Sequence, residues 1–272
     1  MSILTFRTHG FLSENLVEWT AKLRSENSEL FRLVDRTNEL CQKRVYELEP
    51  KEDLHPLLIA TLYARCLSNY QGVIVCSERG MMVEATIIAR ALLEAVFCIR
   101  AIWRHPQLAQ RYADEDVFIR EKYLNKHKQL ESAGKTGSST SDQVKDLERQ
   151  LNDQKGRLEI NGRLSTLDWA TYADMSHEYL TAYAIFSADC HVYARKLAEQ
   201  HLVLNSEGNL EHMKFEPTQA ELPRIVLSST EWALMALVAA SETMKIAVPE
   251  EYSKICSEIR GLAVAYEFDD VR

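Results

Sequence analysis

Four polar residues stand at helical spacing in two otherwise apolar stretches. Arg90 and Glu94 close the run Gly80–Glu94, and Ser187 and His191 close the run Tyr183–His191. Residues four apart share one face of a helix. A polar side chain on a face that packs into a core must find a partner there. The two helices are therefore expected to pair Arg90, Glu94, Ser187 and His191 in one buried network, with Tyr183 as a binding residue at its edge. Imidazole titrates near neutral pH, Ser187 can hydrogen-bond it, and a carboxylate such as Glu94 can orient it. That set suits general acid–base catalysis. It suits a structural polar cluster equally well.

Other chemistry-bearing patterns are missing. The fragment Gly134-Lys-Thr-Gly137 lacks the order of a phosphate loop. The chain has no HExxH, no GxSxG and no zinc-ligand spacing. No cofactor and no metal is expected. His177 beside Ser176 and Asp174 does not form a triad, because neighbouring helical residues point about 100° apart. The six cysteines form no CxxC pair and mostly sit among apolar residues. They read as buried free thiols, which suits a reducing, cytoplasmic location. The four tryptophans and the Met81-Met82 pair read as core packing.

Long helices must position the polar residues. Six prolines and nine glycines in 272 residues are too few turn formers for many short strands. The expected fold is all-α, an irregular multi-helix bundle of about seven or eight helices. One long amphipathic helix is predicted over 12–48, with Ser13 as its N-cap. A second is predicted from Pro56 to Glu78, broken by Arg79-Gly80. A third runs from Met82 to Trp103, and a charged fourth from Pro106 to Ser132. Residues 133–142 read as a flexible linker and 142–158 as a polar helix that is exposed or engaged in an interaction, so 133–160 forms a polar insertion. One or two helices are expected over 167–200. A small β-hairpin follows around Asn205–Asn209, then helices over 225–247 and 250–265. The organisation expected is an N-terminal long helix at 1–50 and a helical domain at 51–272.

The net charge of −8 argues against a general electrostatic grip on nucleic acid or an anionic membrane. The N-terminal residues lack the pattern of a signal peptide. The apolar stretch from Ala85 to Trp103 holds Arg90, Glu94 and Arg100, so it reads as a core helix, and no membrane contact is expected.

The motifs carry a resemblance. A glycine after an apolar helix, then Arg90-x-x-x-Glu94, then Tyr183-x-x-x-Ser187-x-x-x-His191 resembles the family of unknown function DUF5677, over roughly residues 55–245. The resemblance implies a helical domain with those polar residues at its centre, and it implies no activity. A second comparison concerns the metal-independent HEPN ribonucleases, which use Arg-x(4–6)-His. Arg100–His105, Arg120–His127 and Arg195–His201 all have that spacing, close to what chance provides. Arg120 and His127 lie on the charged fourth helix, where a site shared across a homodimer would form. Two readings follow: a ligand- or partner-binding or regulatory domain, or a HEPN-like ribonuclease acting as a toxin or defence effector. The partner is RNA in one reading and a small ligand or a protein in the other.

Overall fold

Asn27 interrupts the N-terminal apolar stripe. In the computed structural model, which describes residues 3–50, 52–135, 141–156, 158, 162–191 and 193–266, the expected single helix is two. After α1 (Ile3–His9) come α2 (Leu16–Glu26) and α3 (Ser28–Glu47). The Asn27 side-chain amide donates to the Leu23 carbonyl at 3.0 Å. An asparagine that offers its own group to the backbone competes with helix continuation. Ser13 does not cap α2. Its hydroxyl accepts from the Asn15 amide at 3.3 Å, one local turn too early.

Helices α4 (Leu54–Glu78) and α5 (Met82–Arg104) meet where Arg79-Gly80 was expected to break the chain. Gly80 adopts φ +71°, the Met81 amide donates to the Cys76 carbonyl at 3.0 Å, and the Gly80 amide to the Ser77 carbonyl at 3.0 Å. This is the six-to-one and five-to-two closure of a glycine-terminated helix. The glycine is also required sterically, since a Cβ there would lie 2.7 Å from Pro217.

The pair α4–α5 packs against α13 (Leu222–Thr243) and is flanked by α3 and α14 (Glu250–Ala265). Tyr70, Phe97, Leu93 and Leu237 are fully buried among them. By length and composition α13 would suit a membrane span, but 67% of its most apolar window is buried inside the bundle. Its apolarity is that of a central core helix. Two of its hydroxyls turn back onto the helix: Thr230 donates to the Val226 carbonyl at 2.7 Å and Ser241 to the Leu237 carbonyl at 2.7 Å, whereas those of Ser229 and Thr243 are buried without a partner among the described residues. The residues of α2 and α3 share this same core, which includes Leu23, Leu30, Phe31 and Val34.

The charged fourth helix is split at Glu115 into α6 (Leu108–Asp114) and α7 (Asp116–Ser132). Glu115 turns its carboxylate inward, where Oε1 accepts from the Leu164 amide at 2.8 Å. Helix α8 (Ser141–Lys155) is less exposed than its polar composition implied. Leu151 is buried with Val117 and Leu124 of α7, and Val144 and Leu147 pack against them. Lys128–Glu148 at 2.5 Å and Lys155–Glu121 at 2.6 Å flank that stripe. Residues 136–140 of the expected linker lie outside the described residues.

The region 167–200 is broken more often than expected. It forms α9 (Thr166–Tyr172), α10 (Ser176–Glu178), a π-helical turn (Tyr179–Tyr183), α11 (Ala184–Asp189) and α12 (Ala194–His201). Ser165 opens α9 with a capping box, its hydroxyl accepting from the Asp168 amide at 3.1 Å. The expected hairpin is present as β1 (Leu202–Leu204) and β2 (Leu210–Met213), antiparallel, with Leu202 opposite Met213. The Asn205 side chain closes its turn by accepting from the Glu207 and Asn209 amides at 3.0 and 2.9 Å. The molecule is thus an all-α bundle with one small hairpin.

Candidate functional site

Arg90 and Glu94 project from the middle of α5 toward the π-helical turn. Arg90 Nη2 donates to the Tyr183 hydroxyl at 2.8 Å, and that hydroxyl donates to Glu94 Oε1 at 2.8 Å. The Arg90–Glu94 ion pair, also 2.8 Å, closes the ring of three. The guanidinium stands over the tyrosine ring as well, with Cζ 5.0 Å from its centroid. The hydroxyl donates once and accepts once, so each partner uses it in the role its chemistry allows.

The π turn shapes this arrangement. Widening the helix over Tyr179–Tyr183 stacks the two tyrosine rings 5.0 Å apart at 16°. Phe97 of α5 supports both, with centroids at 6.5 and 6.2 Å. Such turns recur at functional sites because they re-aim side chains that a regular helix would point elsewhere.

The cluster is only partly buried. The Arg90 side chain is 28% exposed and that of Glu94 37%, so solvent or a ligand can reach it. The Arg90 guanidinium sits above its ordinary value: burial pulls it down, and the Tyr183 hydrogen bond with the Glu94 charge more than offsets this. Arg90 is a permanent cation with donors to spare. Its Nε is buried without a hydrogen-bond partner, and Nη1 meets only the Cys190 sulfur, at 4.0 Å.

Ser187 and His191 do not join this network. No hydrogen bond or ion pair links either side chain to Arg90 or Glu94 among the described residues. Helix α11 ends at Asp189, two residues before His191. Beyond that end the four-residue spacing no longer keeps a face, and His191 is exposed with its ring 5.3 Å from that of Tyr193. Cys190 takes the place expected of the histidine. Nothing in the local sequence distinguishes it from the other five cysteines. All six cysteines are free, and of these Cys41 and Cys66 are fully buried.

Arg120 and His127 lie on α7, away from the ring. Arg120 is held by Asp116 at 2.7 Å and by the Gln154 side chain at 2.7 Å. His127 is exposed two turns further on. Among the described residues no group of His, Cys, Asp and Glu is arranged to hold a metal ion.

Glu94 faces a second environment. It lies on the wall of a cleft of about 600 Å³ between α4, α5, the α6–α7 corner and the segment leading into α9. Arg65, Arg163, Tyr112, Trp169 and Cys98 also line this cleft. The rings of Tyr112 and Trp169 meet edge to face at 5.6 Å. None of these five was singled out from the sequence as a site residue. They come from separate helices and a loop, and no local spacing connects them. Burial pushes the Cys98 thiol up to about 12 and the Tyr112 phenol up to about 12. Neither ionises near neutral pH, so neither serves as a nucleophile or base there.

A helical bundle with a half-buried Arg–Tyr–Glu ring beside an open cleft is the class these observations define. Residues 57–210, more than half of the chain, match DUF5677, a family of unknown function, and the chain belongs to that family. No curated protein and no solved structure matches it. The match begins in α4 and ends at the first residue of β2. It takes in Arg90, Glu94 and Tyr183, and stops short of the 55–245 span that the motifs suggested, leaving α13 outside.

Proposed function

We propose that this chain is a ligand-binding helical domain in which Glu94, held in place by Arg90 and Tyr183, forms part of one wall of the binding cleft. One observation carries the reading: Glu94 belongs to both, tied to Arg90 and Tyr183 on one side and lining the 600 Å³ cleft on the other. Ligand sites are concave and largely pre-formed, with a few oriented polar groups among apolar and aromatic ones. The cleft has that composition. The ring gives Glu94 a defined position.

A fragment library screened by ligand-observed NMR against the full chain tests this. Hits that compete with one another and weaken about tenfold in Glu94→Gln, the scale of one charged hydrogen bond, are expected. Hits indifferent to Glu94→Gln and to Tyr183→Phe would remove the ring from the site. The ribonuclease alternative draws on His191 beside Arg90 and on the Arg–His spacings; no contact among the described residues brings His191 to Arg90, and Arg120 is engaged by Asp116 and Gln154. Intact total RNA after induction of the wild type is the expected result. RNA fragmentation lost in a folded His191→Ala or His127→Ala variant would overturn the binding reading in favour of a nuclease.

A further inference from the structure

The charges around the cleft do not balance. Its three carboxylates are all engaged. Glu94 is held by Arg90 at 2.8 Å, Asp116 by Arg120 at 2.7 Å, and Glu115 by Arg111 at 3.2 Å together with the Leu164 amide at 2.8 Å. Two further arginines line the same space. Arg65, on the exposed side of α4, has no carboxylate within ion-pair distance among the described residues. Arg163, just before α9, has one weak contact, 3.9 Å to Glu115 Oε2, a group already committed elsewhere. The chain as a whole carries −8, so a cleft with surplus guanidinium groups runs against the general field.

A second cavity supplies a contrast. It measures about 440 Å³ and lies between the starts of α5 and α13, α12 and the hairpin. Its single arginine, Arg224, is paired with Glu221 at 2.8 Å, and Lys196 with Asp189 at 3.2 Å and Glu199 at 3.5 Å, whereas Lys214, Glu84 and Glu216 make no ion pair among the described residues. Free guanidinium forks thus gather at the larger cleft.

We infer that the occupant of this cleft is a small organic anion whose phosphate or carboxylate is held between Arg65 and Arg163. The inference rests on the cleft being a binding site, as proposed above. Guanidinium is suited to the task, since its planar fork matches an oxyanion with two parallel hydrogen bonds. The volume accommodates a molecule of mononucleotide size. The half-buried Tyr112 and the edge of Trp169 offer apolar surface for the rest of the ligand.

The test is calorimetric titration and thermal melting of the full chain at low ionic strength. The probes are adenosine monophosphate, benzene-1,2-dicarboxylate and uncharged adenosine. Binding of at least one anion, weakened by added salt, with no response to adenosine, is expected. Adenosine monophosphate alone identifies phosphate as the favoured group; a response to both anions identifies a general oxyanion site. Arg65→Ala and Arg163→Ala should each weaken the anion about tenfold, and Arg65→Lys should retain part of the affinity. Both arginines are exposed, so the unliganded variants should melt as the wild type does. Failure of both anions to bind, or equal binding by the double variant, overturns the inference. Adenosine binding that depends on Glu94 but not on the two arginines overturns it while leaving the cleft reading standing. Anion binding lost in the arginine variants and unchanged in Glu94→Gln supports the anion site and removes the ring from it.

Discussion

Helix α5 carries two half-buried arginines with opposite fates. Arg90 sits in a closed ring with Glu94 and Tyr183. Arg100, under three turns further on, reaches only the Ala173 carbonyl with Nε at 3.5 Å and stands 5.8 Å from the Trp103 ring. One helical turn beyond Arg90 is Glu94; one turn beyond Arg100 is Arg104, a like charge. The chemistry follows. Arg90 is raised above its ordinary value, whereas Arg100 is lowered, by burial first and by Arg104 second. Near Arg100, on α13, the Glu231 carboxyl is pushed up by burial and by Glu178, with Arg260 and Arg100 only partly opposing this. A buried charge is tolerated when a partner is held against it at hydrogen-bond distance, and strained when the opposite charge is merely nearby.

The largest effect is expected at Phe97, which lies between the two arginines along α5 and packs against both stacked tyrosines. Phe97→Ala should cost about 3–5 kcal/mol in denaturant unfolding, as full truncation of a buried ring does. A loss below about 1 kcal/mol would mean that the π turn is not anchored by this ring.

Next comes the contrast itself. Arg90→Ala leaves Glu94 and the Tyr183 hydroxyl without their shared donor and should cost about 1–3 kcal/mol. Arg100→Ala should cost less, because no carboxylate is orphaned. Equal losses in chemical melts would break the comparison.

Smaller still is Tyr183→Phe, which removes one hydroxyl from the ring and should cost about 1 kcal/mol. A double-mutant cycle with Glu94→Gln should then show coupling of at least about 0.5 kcal/mol. Additive losses would show that the three groups do not act as a unit.

The last prediction concerns sign rather than size. A carboxyl raised in the folded state binds its proton more tightly there than in the unfolded chain. Its contribution therefore favours folding at acid pH and is lost as pH rises from the unfolded value through the raised one. Glu231→Gln removes that dependence. The variant should melt close to the wild type at acid pH and above it at neutral pH. A variant less stable at neutral pH would place Glu231 in an attractive pair with Arg100 or Arg260 and erase the contrast between the two ends of α5.

Much of this was readable from local pattern. The Arg79-Gly80 break is realised by a left-handed glycine with both closing hydrogen bonds. The hairpin formed around Asn205, whose side chain makes the turn. The i, i+4 pairing of Arg90 with Glu94 is seen directly, because both lie on one uninterrupted helix. Structure departs from local pattern where a helix ends inside a periodic stretch. Asn27 and Glu115 each turn a side chain into competition with the backbone or toward a distant amide, and each splits an expected helix. Helix α8 stays polar on most faces and uses the stripe of Val144, Leu147 and Leu151 to pack on α7, a stripe its charged neighbours conceal in the sequence.

The sequence by itself determined the helical class, most helix ends and the ion pair at the centre of α5. These depend on residues within one turn of each other, and short-range geometry is set by backbone sterics and helical phase. Tertiary structure alone decided the rest. Helix α11 stops at Asp189, which turns His191 out to solvent and leaves Cys190 near Arg90. The cleft assembles Arg65, Glu94, Tyr112 and Arg163 from separate elements. Helical phase does not survive a break in the helix, and a cavity is a property of how elements pack.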